Sequence, residues 1–334
     1  MKIGLAYDLK TKAAGSSEAL GDESEEYDPP ETIDALTSEI EGMGHQAVRL
    51  GGGREFLQNV QTLPVDFVFN ISEGRGTYRS REAQVPGVLE MLGIPYSGSD
   101  PLTLAACLDK PITKQLAGLA GVRTPAFVVV DRMAKLDAPE VKAFRYPAFL
   151  KPAYEGSSKG IRATSRVTGY QEMRDVASDM LHEYRQPVLM EEFIAGMEVT
   201  VGIVGNNPPR IVAVMEVAPR AGRDSNFTYT IEVKRDWKRL VVYRCPPDLP
   251  SECIEAIEEE ALKAYRALQI RDVARMDFRV DETLQPYFLE VNPLPGLGDY
   301  SDLPIMAQLS GWTYSKLVRS IVEAGLERCG LVRR

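Results

Sequence analysis

Histidine is nearly missing from this chain of 334 residues: His45 and His182 are the only two. Both sit beside ordinary polar residues, so imidazole catalysis has little to build on, and His182 reads as the exposed side of a helix. The four cysteines, Cys107, Cys245, Cys253 and Cys329, are scattered without CxxC spacing, which argues against a zinc site or a disulfide framework. No run of eighteen apolar residues exists, so no membrane helix is expected. Met1–Tyr7 reads as a strand and not as an export leader, so the expected compartment is the cytoplasm. Basic residues are outnumbered, 39 against 48 acids, for a net charge of -9. A nucleic-acid partner is therefore not expected, although a local basic funnel for an anionic nucleotide is compatible with that balance. Repeats are absent. What remains, 44% hydrophobic and 26% charged, is the composition of a globular protein, long enough for two or three domains that share a cleft.

The first hundred residues alternate strand and helix signals. Strands are predicted at Lys2–Tyr7, Gln46–Leu50 and Asp66–Ile71, and helices at Pro30–Gly44 and Arg81–Leu92. Such alternation implies a parallel sheet covered by helices. A stretch rich in glycine, serine and acid, Ala13 to Glu26, interrupts the first unit, and loops of that length tend to be functional. Beyond it a helix is predicted over Pro101–Gly121, with strands at Ala126–Val130, Ala148–Lys151 and Pro187–Glu192, and helices at Gly169–Tyr184, Ser251–Leu268 and Tyr314–Leu326. The fold class is thus α/β followed by α+β. The expected domains are 1–106, a parallel-sheet domain; 107–195, a central lobe; and 196–334, a C-terminal lobe.

Two stretches carry the chemistry. Ala274–Arg279 and Tyr287–Asn292 alternate polar and apolar residues with the period of half-buried strands. A hairpin turning between Thr283 and Leu284 would pair Asp277 with Glu290 and Arg275 with Asn292, all on one face. Met276, Phe278, Leu289 and Val291 would then face a core. Two carboxylates and an amide beside an arginine suit Mg2+ holding a phosphate; cross-strand ion pairs on a solvated sheet are the plainer alternative. Lys151–Gly160, KPAYEGSSKG, sets a lysine at a strand end before a flexible hydroxyl-bearing loop. Backbone N–H groups of such a loop can wrap phosphate oxygens, and a simple hairpin turn would look the same. It is not the GxxxxGK[ST] P-loop. Glu191 ends a strand and Glu198 follows; strand-end acids can accept bonds from an adenine amino group or ribose hydroxyls, or merely solvate an edge.

Taken in order, Lys110, Lys151 with its EGSS loop, Glu191, Glu198, Arg275-x-Asp277, Glu290-x-Asn292 and Pro295-Gly296 resemble the ATP-grasp superfamily, and within it the D-alanine–D-alanine ligases. Leu92–Ser99 followed by Leu108-Asp109-Lys110 is especially similar. The resemblance spans the chain from the first strand to the final helix. It implies a three-domain ATP-grasp architecture with ATP held between two antiparallel sheets. Lys110, Lys151, Ser158 and Lys234 would serve the phosphates, Glu191 adenine and Glu198 the ribose. Asp277, Glu290 and Asn292 would hold two Mg2+ ions, with Mn2+ as an alternative. A carboxylate would take the γ-phosphate and an amine would attack the acyl phosphate, with Arg275 and the Gly296 N–H stabilising developing charge. The partners implied are amino-acid or peptide substrates, and a homodimer through the first domain.

Departures from the family accompany the likeness. The opening GGxSxExEVS segment, whose first glutamate grips the first substrate's ammonium, here reads Gly21–Pro30, GDESEEYDPP, and counting back from the following helix favours Glu25. The LHG segment after the third strand is replaced by Phe69-Asn70-Ile71-Ser72-Glu73-Gly74. A Lys-Tyr pair becomes Lys234-Arg235, removing the tyrosine that joins Ser157 in a hydrogen-bonded triad. A Ser-Leu pair becomes Ser301-Asp302, which brings an acid toward a pocket that should receive a carboxylate. The reading is an ATP-dependent carboxylate–amine ligase. Its alternatives are a different amino-acid or peptide acceptor, and a nucleotide-binding pseudoenzyme.

Overall fold

The computed structural model describes residues 1–10, 22 and 24–332. Most of the loop expected at 13–26 therefore lies outside the described residues. Strands β1 (Lys2–Ala6), β2 (Gln46–Gly51) and β3 (Phe67–Asn70) form a parallel sheet in the order β2-β1-β3. Continuous burial along β3 is what a sheet covered on both faces requires. Its helices run over Pro30–Gly42, Gly53–Thr62 and Gln84–Leu92.

Two antiparallel sheets follow. Strands β4 (Phe127–Val130), β5 (Ala148–Pro152), β6 (Arg166–Val167) and β7 (Val188–Glu192) take the order β4-β7-β5-β6. The helix Tyr170–Tyr184 lays Met173, Ala177 and Met180 on them at helical spacing. Strands β8 (Met197–Val204), β9 (Arg210–Pro219), β10 (Val241–Arg244), β11 (Val273–Val280) and β12 (Pro286–Asn292) take the order β10-β9-β8-β11-β12. The helix Ser251–Ala267 seals the back of this sheet through Cys253, Ile257, Ala261 and Ala264.

Chain order and core membership part company at both ends of this lobe. Leu303, Met306, Leu317, Val318 and Ile321, from the helices Asp302–Leu309 and Tyr314–Arg328, share one core with Ile3, Leu5, Ile33 and Leu36 of the first domain. Asp272 pins this return: its fully buried carboxylate accepts from the Gly98 N–H at 2.7 Å, Asn206 Nδ2 at 2.8 Å and the Arg328 guanidinium at 2.8 and 3.0 Å. A buried charge so fully bonded ties three parts of the chain at one point.

Three expectations need correction. The helix expected over Pro101–Gly121 is two, Pro101–Leu108 and Lys110–Leu119, because Asp109 is extended (φ -84°, ψ 93°) and caps the second through Ile112 N at 3.0 Å. Pro111, in the first turn, cannot continue a helix from behind. Gly53–Thr62 carried no helical signal, since only Phe56 and Val60 are buried on it. The third concerns the hairpin. Arg275 pairs with Asn292 and Asp277 with Glu290, but the register shifts between Asp277 and Phe278, so that Phe278 pairs with Phe288. This bulge turns Phe288 into the core and Leu289 toward the cleft, and one extra residue is sufficient for that exchange of faces.

Candidate active site

A cleft of about 880 Å3 opens between the two antiparallel sheets. Strand periodicity places its charged lining. Arg275 and Asp277 on β11 share a face, and the Arg275 guanidinium forks onto Asp277 at 3.0 and 2.8 Å. Thr200 of β8, paired with Asp277, donates its hydroxyl to the same carboxylate at 2.8 Å. On β12, Glu290 lies 3.3 Å from Lys151 Nζ and 3.9 Å from Lys110 Nζ. Loss of solvent would raise the Glu290 carboxyl, but Lys110, Lys151 and Arg275 hold it down at about 2. Asn292 turns its side-chain oxygen to the Leu294 N–H at 2.8 Å. The bulge leaves Asp277, Glu290 and Asn292 on one surface, as the sequence predicts.

Lys151 also reaches Glu191 at 2.9 Å, and Glu191 is held from its other side by Lys114 at 2.8 Å. Sequence reasoning missed Lys114. Its signal was present: it stands one helical turn after Lys110, on the same face of Lys110–Leu119. Burial depresses the Lys114 ammonium to about 8 against the pull of Glu191. Lys110 donates to the Glu155 carbonyl at the root of the loop. In that loop Ser157 (φ 50°) and Ser158 (φ 59°) both occupy the left-handed region, which costs a non-glycine residue energy and marks a built turn. The Ser158 hydroxyl donates to the Tyr229 carbonyl at 3.1 Å.

The segment carrying Tyr229 is fixed from below. Arg279, buried on β11, donates to the carbonyls of Gly196, Ser225 and Phe227 at 2.8–3.1 Å and faces Glu198 at 3.4 Å. This anchoring brings Lys234 over the cleft, where, among the described residues, it has no ion-pair partner within 4 Å; burial lowers its proton affinity. Asp302, the first residue of its helix, is buried in the cleft wall 3.5 Å from Arg275. Ser301 caps Gly296 so closely that a Cβ there would stand 2.7 Å from the Ser301 Oγ. Glu25, expected at the substrate, is not among the residues lining the cleft; it pairs with Arg235 at 2.8 Å and Lys10 at 3.4 Å. Its neighbour Glu26 turns inward, gripped by Arg81 at 2.7 and 2.9 Å, the Gly156 N–H at 2.7 Å and Lys159 at 3.3 Å. These partners lie 55 to 133 positions away, beyond any local pattern.

Three carboxyls are pushed up to about 7. Burial does most of it in each case; the charge of Asp8 adds for Asp28, that of Glu26 for Glu82 and that of Asp277 for Glu198. The folded chain keeps these protons to about pH 7, whereas the unfolded chain releases them near 4. Stability is therefore expected to fall as pH rises from about 4.5 to about 7. Glu290 acts in the opposite sense, adding stability that is lost as pH falls from about 4.5 to about 2. Urea midpoints across pH check this: Glu198→Gln should flatten the upper slope, and an unchanged slope would exclude its titration.

With this geometry in view, likeness to known proteins decides the family. The profile of the D-ala D-ala ligase C-terminus matches residues 116–323. The chain belongs to the D-alanine–D-alanine ligase family. A D-alanine–D-alanine ligase of Bordetella petrii is 34% identical over 287 residues, 83% of this chain and 84% of that protein. Another, from Pelotomaculum thermopropionicum, is 30% identical over 311 residues, 91% and 93% of the two chains. The crystal structure of a D-alanine–D-alanine ligase from Bacillus anthracis complexed with ATP superposes with a TM-score of 0.76 at 25% identity, covering 99% of each chain. Membership makes this chain an ATP-dependent ligase of the ATP-grasp type, as its sequence implies. Among the described residues, no helix is long and apolar enough to cross a membrane.

Proposed function

We propose that this ligase joins the carboxylate of one amino acid to the amine of a second, with D-alanyl-D-alanine as the reference product. The observation that carries the reading is one sheet face on which Arg275, Asp277, Glu290 and Asn292 meet the ammonium groups of Lys110 and Lys151. Lys151 and Lys110 stand 3.3 and 3.9 Å from Glu290, and triphosphate oxygens are acceptors that suit both ammonium groups. Glu191 and Glu198 supply acceptors for adenine and ribose, while Ser157, Ser158 and Lys234 close on the phosphates. The substrate carboxylate oxygen attacks the γ-phosphorus and ADP leaves. The amine then attacks the acyl carbon, phosphate departs, and the amine's proton is lost. Arg275 and the Gly296 N–H would stabilise the oxygen on which charge develops.

Asp277, Glu290 and Asn292 offer only oxygen donors, the set that Mg2+ prefers, and the Asn292 oxygen keeps a lone pair beyond its bond to Leu294. These three residues would hold the ion, which supplies charge neutralisation for the transferring phosphate. Two measurements test the assignment. Mg·ATP at about a hundredfold its Kd should add about 2.7 kcal/mol of stability, and Glu290→Ala should lose most of it. ADP release should then depend on added amino acid across a panel of D and L forms. If Mg·ATP shifts no melting temperature and no amino acid stimulates ADP release, the ligase assignment is wrong.

A further inference from the structure

Beside the nucleotide cleft lies a smaller, partly open pocket, bounded by Glu26, Glu73 and Glu82 from the first domain and by Lys110, Arg275 and Glu290. Most of its acids are satisfied. Glu26 has Arg81 and Lys159, Glu155 has Lys159 at 2.5 Å and Gln186 at 2.7 Å, and Glu290 has Lys151. Glu73 and Glu82 are different. Neither forms a hydrogen bond or ion pair with any described residue, although Glu82 is only 7% exposed and its Oε2 is fully enclosed. A carboxyl buried without a partner is costly, and structures keep one where something else completes it.

The cavity is also polarised. Lys110 and Arg275 line it beside Glu290, and the two free carboxyls line the same space from the first domain, with the Lys110 charge acting on Glu82. That arrangement fits an amino acid whose carboxylate points to the cations and whose ammonium points to the acids. Burial, with Glu82 as the foremost charged neighbour, drives the Glu73 proton affinity well up, so the pair holds a proton until positive charge arrives beside both; one ammonium can meet only one of the two carboxyls. A substrate with two positive groups leaves neither unmatched.

Resting on the ligase reading above, we propose that the acyl-donor pocket selects an amino acid bearing a second positive group, a side-chain amine or guanidine, held by Glu73 and Glu82 together with the α-ammonium. The residues that would otherwise take the ammonium are engaged: Glu25 by Arg235 and Lys10, Glu26 by Arg81, Lys159 and Gly156.

The test uses the full-length chain with Mg·ATP and pairs of amino acids, alanine against 2,3-diaminopropionate, ornithine, lysine and arginine, each in both enantiomers. ADP release gives rates, and fragment masses of the dipeptide show which residue became N-terminal, hence which was the acyl donor. The expected result is a basic residue at the N-terminal position with kcat/KM at least about tenfold above that of alanine. Glu73→Gln and Glu82→Gln, both isosteric, should each reduce that ratio at least about tenfold, with the ATP KM showing that the cleft is intact. Alanine used as donor equally well, or a preference that survives both substitutions, overturns the proposal while leaving the ligase reading standing. ADP release with no amino acid at all overturns both.

Discussion

Replacing Arg275 with alanine is expected to lower kcat by about 10^2- to 10^3-fold, the usual cost of removing one donor aimed at transition-state charge, with the ATP KM held within a few fold. Its position explains the size. The guanidinium sits on β11 beside the carboxylates, forked on Asp277 and 3.5 Å from Asp302. Burial works against its charge, but Asp277 and Asp302 keep it protonated well above the ordinary arginine value. Arg275→Lys retains the charge and loses the planar fork, so it should recover only part of the rate. Steady-state kcat and the ATP KM, measured with melting curves to verify folding, decide the matter. Turnover within tenfold of the parent in Arg275→Ala would remove the arginine from the mechanism.

The hairpin shows what local pattern can reveal. Period-two alternation located both strands and the pairs Asp277–Glu290 and Arg275–Asn292, because one buried face specifies register strongly. It could not show the bulge, since Phe288 and Leu289 are both apolar and either could face the core. Strand ends supplied Glu191 and Glu198 as candidate acceptors and resemblance to the family supplied Lys110, and all three lie at the cleft or at the cavity next to it. Neither pattern nor likeness revealed Arg81 on Glu26, nor Glu73 beside Glu82. Those contacts form inside the first domain, between the segments 24–27, 72–74 and 81–83, a tertiary fact with no short-range signature. The adjacent pair Glu25-Glu26 illustrates the limit. Two identical side chains one residue apart diverge, one to Arg235 and one inward, and only the turn at 24–27 separates them.

Substituting Asp302 should shift acceptor choice by at least about tenfold in kcat/KM. The resemblance implied that this acid faces a pocket that should receive a carboxylate. It is buried in the cleft wall and paired with Arg275, so it faces the site while already neutralised in part. An acceptor carboxylate arriving there meets a like charge, and it must also compete with Asp302 for the Arg275 donors. An acceptor with a cationic or donor group instead gains a partner. Asp302→Leu should therefore lower the KM for D-alanine as acceptor and raise that for a basic amino acid. Asp302→Asn, which keeps the shape at the start of the helix, should move both in the same direction by less. Donor and acceptor are distinguished by residue order in the product, which separates this effect from that of Glu73 and Glu82. If the ratio of kcat/KM values for the two acceptors is the same in parent and Asp302→Leu, the acid serves only to orient Arg275, and acceptor selectivity must come from another part of the cleft.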